Sequence, residues 1–160
     1  MHVVQDENAL SIKLKRNIIL MAKIFGNILV PYDDSPHSKR ALSKALGMAE
    51  ITGADLTLAH VISYDSTGDK MIQPHEDSIL RQELEFLNPI EREAIARNIA
   101  LQEKILFGNP VEELLNFINE KNFDMVIMGK RGITETTGTS LGSVSNALVQ
   151  NSKIPVLVTT

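Results

Sequence analysis

The sequence predicts a doubly wound α/β sandwich, a parallel β-sheet covered by helices. Three observations carry that prediction. Four apolar runs, Ile28-Leu29-Val30, Leu56 to Ile62, Met125 to Met128 and Val156-Leu157-Val158, are nearly continuous in Ile, Leu, Val and Met. Strands buried on both faces read this way, whereas half-exposed strands alternate. Between the runs lie segments with helical apolar spacing and helix-capping residues at their starts. The length of 160 residues suits one domain, and 43% hydrophobic with 22% charged residues is ordinary globular usage. A disordered tail, a collagen and a bare coiled coil are excluded.

Taken in order, residues 1–22 read as an extension in front of a domain spanning 23–160. They are rich in polar residues, with a basic stretch from Lys13 to Arg16 and no strong periodicity. After the first strand, Ser35-Pro36 supplies an N-cap followed by proline at the first helical position. Ala41, Leu42, Ala45, Leu46 and Ala49 then repeat on one face, and Gly53 stops the helix. Beyond the second strand, polar residues 64–75 with Gly68 and Pro74 read as a loop, and Glu76 to Leu87 as a helix carrying Leu80, Leu84 and Leu87. Asn88-Pro89 either kinks that helix or starts another running to about Arg97. Ile99 to Phe107 fits a weaker strand, and its Gln102, Glu103 and Lys104 suit a sheet edge. Asn109-Pro110 opens a helix with Val111, Leu114, Leu115 and Ile118 as its stripe. The last helix begins near Gly142-Ser143 and carries Val144, Ala147 and Leu148.

Charge narrows the function. Sixteen Lys and Arg against 20 Asp and Glu give a formal charge of −4. Nucleic acids and anionic membranes need clustered positive charge, so neither is an expected partner. Cysteine is absent, which removes disulfides, thiolate metal sites and a cysteine nucleophile, and suits the reducing cytoplasm. The four histidines, His2, His37, His60 and His75, show no close pairing, which argues against structural zinc. The apolar run Ile18 to Ala22, between Arg16 and Lys23, is too short for a signal-peptide core or a membrane span.

In doubly wound sheets ligands bind outside the carboxyl ends of the strands, where the strand order reverses. Two segments there carry chemistry. After Met128 comes Gly129-Lys130-Arg131-Gly132, then nine residues, then Gly142-Ser143 opening a helix. Three glycines let backbone approach a ligand closely, and the helix start offers N–H groups and a positive dipole end. Phosphate oxygens suit such a construction. Each aligned dipole end is worth roughly 0.3–1 kcal/mol toward an anion. Hydroxyls from Thr134 to Ser140 and at Ser143 add donors. No Gly-Lys-Ser/Thr follows, so this is not a Walker A loop, nor is it a GxGxxG fingerprint. The second segment is Val30-Pro31-Tyr32-Asp33-Asp34-Ser35. Its Asp33 can accept from a ribose hydroxyl or an adenine amino group, hold a metal, or simply cap the next helix. His60 inside an apolar strand reads as a hydrogen-bonded core histidine. Ser35 has no nucleophile elbow around it, and no catalytic residues are assigned.

VPYDDS, LAHVI, the GNP turn with EELL, DMVIMGKRG, LGSVSNALV and IPVLV, in that order from about Ile24 onward, resemble the universal stress protein family in its ATP-binding branch. The resemblance implies a Rossmann-like, five-stranded parallel sheet in the order 3-2-1-4-5 and bound ATP. By that resemblance, Pro31, Asp33 and Val61 meet the adenosine, and Met128 and Gly129 pack against it. Gly132, Gly142, Ser143 and Val144 hold ribose and phosphates, with magnesium or manganese on the latter. It further implies a homodimer through the last strand and a regulatory, ATP-dependent switch in the cytoplasm with at most slow hydrolysis. Two departures stand out. Family members usually have Gly where this chain has Asp34, which brings a second carboxylate to the rim of the site. Glu135 adds another in a loop that often holds basic residues; Lys130 and Arg131 either compensate it or are simply two solvated basic side chains on a loop. The alternatives are an ATP hydrolase or nucleotidyl-transfer enzyme on the same fold, and a phosphoacceptor receiver domain imitated by Asp33-Asp34.

Overall fold

A computed structural model describes residues 25–63, 87–133 and 140–160, together with Ser11 and Glu85. The elements run β1 (Asn27–Pro31), α1 (Pro36–Thr52), β2 (Asp55–Ile62), α2 (Leu87–Ala96), β3 (Leu101–Phe107), α3 (Pro110–Glu120), β4 (Met125–Gly129), α4 (Ser143–Asn151) and β5 (Val156–Thr159). All five strands are parallel, in the order β3-β2-β1-β4-β5.

Alternate residues of each central strand feed opposite layers, as strand geometry requires. On one face Ile28, Val30, Leu56, Leu58 and Ile127 pack under α1 and α2. On the other, Leu29, Ala59, Val126 and Met128 pack under Leu114, Phe117, Ile118 and Leu148 of α3 and α4. The sheet is therefore doubly wound, with the change of face between β1 and β4. This is the predicted fold.

The helix caps follow the sequence. Ser35 accepts from the Ser38 N–H at 3.1 Å, Pro36 occupies the first turn, and Gly53 closes α1 at φ 73°. Asn109 accepts from the N–H groups of Val111 and Glu112, with Pro110 at the first position of α3. Pro89 lies in the first turn of α2, where its missing N–H costs no helical bond, so it opens this helix. The predicted helix from Glu76 and the loop at 64–75 lie outside the described residues, apart from Glu85 and Leu87, as does the extension at 1–22 apart from Ser11.

The edge strand begins at Leu101, two residues later than Ile99 where the sequence placed it. Asn98 in the left-handed region, φ 55°, ends α2, with the Ile99 N–H on the Ala94 carbonyl and the Asn98 N–H on the Ile95 carbonyl. Ile99 thus belongs to a helix-closing turn. Gln102, Glu103 and Lys104 are exposed on this edge as expected. Burial, and then the neighbouring Glu91, push the Glu103 carboxyl up.

One local feature shapes the site. β1 pairs with β2 as far as Pro31↔Ala59, but with β4 only through Ile28↔Met125 and Leu29↔Val126. Pro31 has no N–H to give, and the two central strands part toward their carboxyl ends. The crevice opens there.

Candidate functional site

The crevice is a cavity of about 220 Å³ at the carboxyl ends of β1, β2 and β4. Pro31, Asp33, Val61, Met128, Gly129, Gly132, Gly142, Ser143 and Val144 all line it, so the structure brings every sequence-predicted site residue to one place. Its deep wall is apolar, with Pro31, Ala59, Val61 and Met128 from the strands and Pro110 and Leu114 from the start of α3. Its other wall is polar, built from the glycine segment and the first turn of α4. Pro110 and Leu114 were not foreseen as site residues. In the sequence they read only as a helix start and a core stripe.

Asp33 ties the two polar segments together. Its Oδ1 accepts from the Ser35 N–H at 3.2 Å, an Asx turn leading into the Ser35 cap, and its Oδ2 accepts from the Ile133 N–H at 2.9 Å across a separation of 100 residues. The carboxylate faces the cavity and anchors the beginning of the glycine loop at once.

The glycines have different reasons. A Cβ on Gly129 would lie 2.6 Å from the His37 carbonyl carbon and 2.8 Å from its oxygen. That glycine allows the close approach of α1 to β4, and it also lines the cavity. A Cβ on Gly132 would lie 2.7 Å from Asp33 Oδ2. Gly132 therefore makes room for the carboxylate on the cavity wall. Gly142 caps α4, yet its N–H is donated to the Lys130 carbonyl at 2.9 Å, so that amide is spent inside the protein. The helix has no side-chain cap at Gly142, and Ser143 is its first residue rather than the cap that the sequence suggested.

The loop is stapled at its base. The Lys130 carbonyl also accepts from the Ser145 hydroxyl at 2.6 Å. Arg131 reaches across to the Ser140 carbonyl through Nε at 3.0 Å and Nη2 at 2.6 Å. The reading of Lys130 and Arg131 as a solvated pair is corrected for Arg131, which is 8% exposed and lines the cavity. Thr134 to Thr139, with Glu135 among them, lie outside the described residues.

Asp34 also departs from expectation. It does not line the cavity; its carboxylate accepts from the Tyr32 hydroxyl at 2.9 Å and from Lys39 Nζ at 3.0 Å. Burial first, and then Asp34, hold the Tyr32 phenol protonated well above its usual range. Asp34 sits at φ 62°, a conformation that glycine adopts freely. Asp34→Ala is accordingly expected to be less stable than Asp34→Gly by about 1 kcal/mol in denaturant titration, because both lose the carboxylate and only alanine keeps the strained Cβ.

Among the described residues, His37 and His60 do not line the cavity. His60 Nδ1 donates to the Tyr32 carbonyl at 2.8 Å, as a hydrogen-bonded core histidine should. His37 does not line the cavity and accepts at Nδ1 from Arg40 Nη2 at 2.7 Å. Desolvation, then Arg40, Arg131 and Lys130, lower its pKa. The acidic set of a receiver domain is not assembled. Asp124, which would have to sit at a strand's carboxyl end, caps the Gly26 and Asn27 N–H groups at 2.8 Å each at the opposite end of the sheet.

A doubly wound parallel domain with a cavity at its topological switch point, apolar on one side and loop-and-helix on the other, defines the class of small α/β ligand-binding domains. The family model described as "Universal stress protein family" matches residues 25–160, and the chain belongs to that family. It is 32% identical over 137 residues to a universal stress protein of Thermus aquaticus, covering 84% of this chain and 98% of that protein. It is 28% identical over 146 residues to the universal stress protein YxiE of Bacillus subtilis, covering 84% and 99%. Among solved structures, a universal stress protein in complex with cAMP superposes with a TM-score of 0.65 at 24% identity, over 86% of this chain and 98% of that one. The universal stress protein from Archaeoglobus fulgidus in complex with dAMP gives 0.60 at 20% identity, over 84% and 98%.

Proposed function

We propose that this protein binds an adenine nucleotide, ATP with magnesium or manganese, and acts in the cytoplasm as an ATP-dependent regulatory switch of the stress-protein kind. One observation carries the reading. The cavity is lined both by apolar residues, Pro31, Ala59, Val61 and Met128, which suit a nucleobase, and by the glycine segment and the first turn of α4. Helix N-termini favour phosphate oxygens. Two structural neighbours, universal stress proteins in complex with cAMP and with dAMP, are compatible with this assignment. Asp33 faces the nucleoside, while Gly132, Ser143 and Val144 flank the phosphates. Gly142 shapes the turn without giving its amide. In this reading the magnesium or manganese ion is carried on the phosphates.

In this reading residues 23–160 form the nucleotide unit and 1–22 lie outside it. A second copy pairs along β5, whose Leu157 is 40% exposed on an edge strand. No helix among the described residues is long and apolar enough to cross a membrane.

Calorimetric titration with ATP, with and without magnesium, is the test. Saturable binding at one site per chain is the expected result. Absence of heat from protein shown by denaturing mass spectrometry to carry no nucleotide would overturn the proposal.

A further inference from the structure

Arg131 poses a question that the fold does not answer. Its side chain is buried, 8% exposed, yet it forms an ion pair with no Asp or Glu among the described residues. Two of its five donors, Nε and one on Nη2, go to a single neutral carbonyl, that of Ser140. A guanidinium withdrawn from water is costly unless an opposite charge compensates it. Of the charged groups in its surroundings, Lys130 and Arg40 carry the same sign, and the Asp33 carboxylate on the same cavity is engaged by the Ser35 and Ile133 N–H groups rather than by the guanidinium.

The position supplies the answer. Arg131 lies on the polar wall of the cavity, between Gly129 and Gly132 and beside the first turn of α4. Its anchoring to Ser140 fixes the guanidinium and draws together the two ends of the loop, while Asp33 holds Ile133 on the other side. A fixed, buried cation acts on an anion more strongly than a solvated one.

We propose that Arg131 is the residue that makes this site prefer a phosphate-bearing nucleotide to the bare nucleoside, supplying the buried positive charge that the phosphates neutralise while holding the loop in place. This rests on the nucleotide reading above.

The test compares adenosine, ATP and inorganic tripolyphosphate on the full chain and on two variants, with circular dichroism as the check on folding. Arg131→Gln keeps donors for the Ser140 carbonyl and removes the charge. Arg131→Lys keeps the charge and loses the fork. In Arg131→Gln the ratio of ATP to adenosine affinity is expected to fall about tenfold or more, since hydrogen bonds to charged groups are the strong ones. Adenosine binding should hardly change, and the salt dependence of ATP binding should flatten. Arg131→Lys should recover most of the ratio. An unchanged ratio in Arg131→Gln, with the wild type binding both ligands, overturns the proposal and leaves the nucleotide reading standing. Wild-type binding of tripolyphosphate that Arg131→Gln abolishes, with no adenosine binding, overturns the nucleotide reading and supports Arg131 as the anion-holding residue. Binding of none of the three overturns both.

Discussion

Gly132→Val is expected to lower ATP affinity by about 100-fold while shifting the melting midpoint by no more than about 5 °C. The first side-chain carbon would stand 2.7 Å from Asp33 Oδ2, so the carboxylate must leave its place on the cavity wall. It cannot yield freely, because both its oxygens accept backbone N–H groups, from Ser35 and Ile133. The second and third carbons of valine then occupy space beside the phosphate-side wall. Loss of the ordered carboxylate and partial filling of the cavity act together on binding. Stability suffers less, since the bond that breaks first belongs to the exposed Ile133. Calorimetric titration and thermal melting of the same preparation check both halves. Affinity near that of the wild type would show that no ligand group passes between Gly132 and Asp33.

The opposite signature is expected three residues earlier. Gly129→Val should destabilise the fold by about 3 kcal/mol and lower the melting midpoint by roughly 6–12 °C. Here the neighbour is backbone. The added carbon would meet the carbonyl carbon, Cβ and carbonyl oxygen of His37 at 2.6, 2.7 and 2.8 Å. A side-chain tip can rotate away, but the first turn of α1 can only move as a whole. Its anchors resist that, with Ser35 capping Ser38 at 3.1 Å and the Lys39 N–H on the Ser35 carbonyl at 3.0 Å. Chemical denaturation measures the loss. A fully stable Gly129→Val would mean that α1 sits farther from β4 than the structure places it.

Those two glycines also show how far the sequence could be read. Doubly apolar runs and cap residues placed the sheet and three helices, because burial on both faces and capping leave marks within a few neighbouring residues. Asn98 did not leave such a mark. Its left-handed turn moves the start of β3 to Leu101, and only the contact of Ile99 with Ala94 reveals it. All nine expected site residues line one cavity, since family spacing fixes which ends of which strands converge. Their individual jobs were less legible. A glycine needed for helix approach and one needed for a carboxylate look alike in a sequence. Arg131 beside Lys130 looks like a solvated pair, and the partner that buries it, Ser140, is nine residues away. Asp34 looks like a rim charge until its φ of 62° and its bonds to Tyr32 and Lys39 turn it elsewhere.

The Lys130 carbonyl, which takes both the Gly142 N–H and the Ser145 hydroxyl, has a consequence for sequence changes in residues 134–139. The residues on either side of 134–139 are thereby held together, and Arg131 on the Ser140 carbonyl adds a second tie. Whatever is inserted or deleted between those posts has to close the same short span. Doubling such a segment costs only about 0.6 kcal/mol of closure entropy. A change of sequence between those posts is therefore expected to leave the ties at the base in place, so its effect falls on the segment itself rather than on the sheet and helices that hold it.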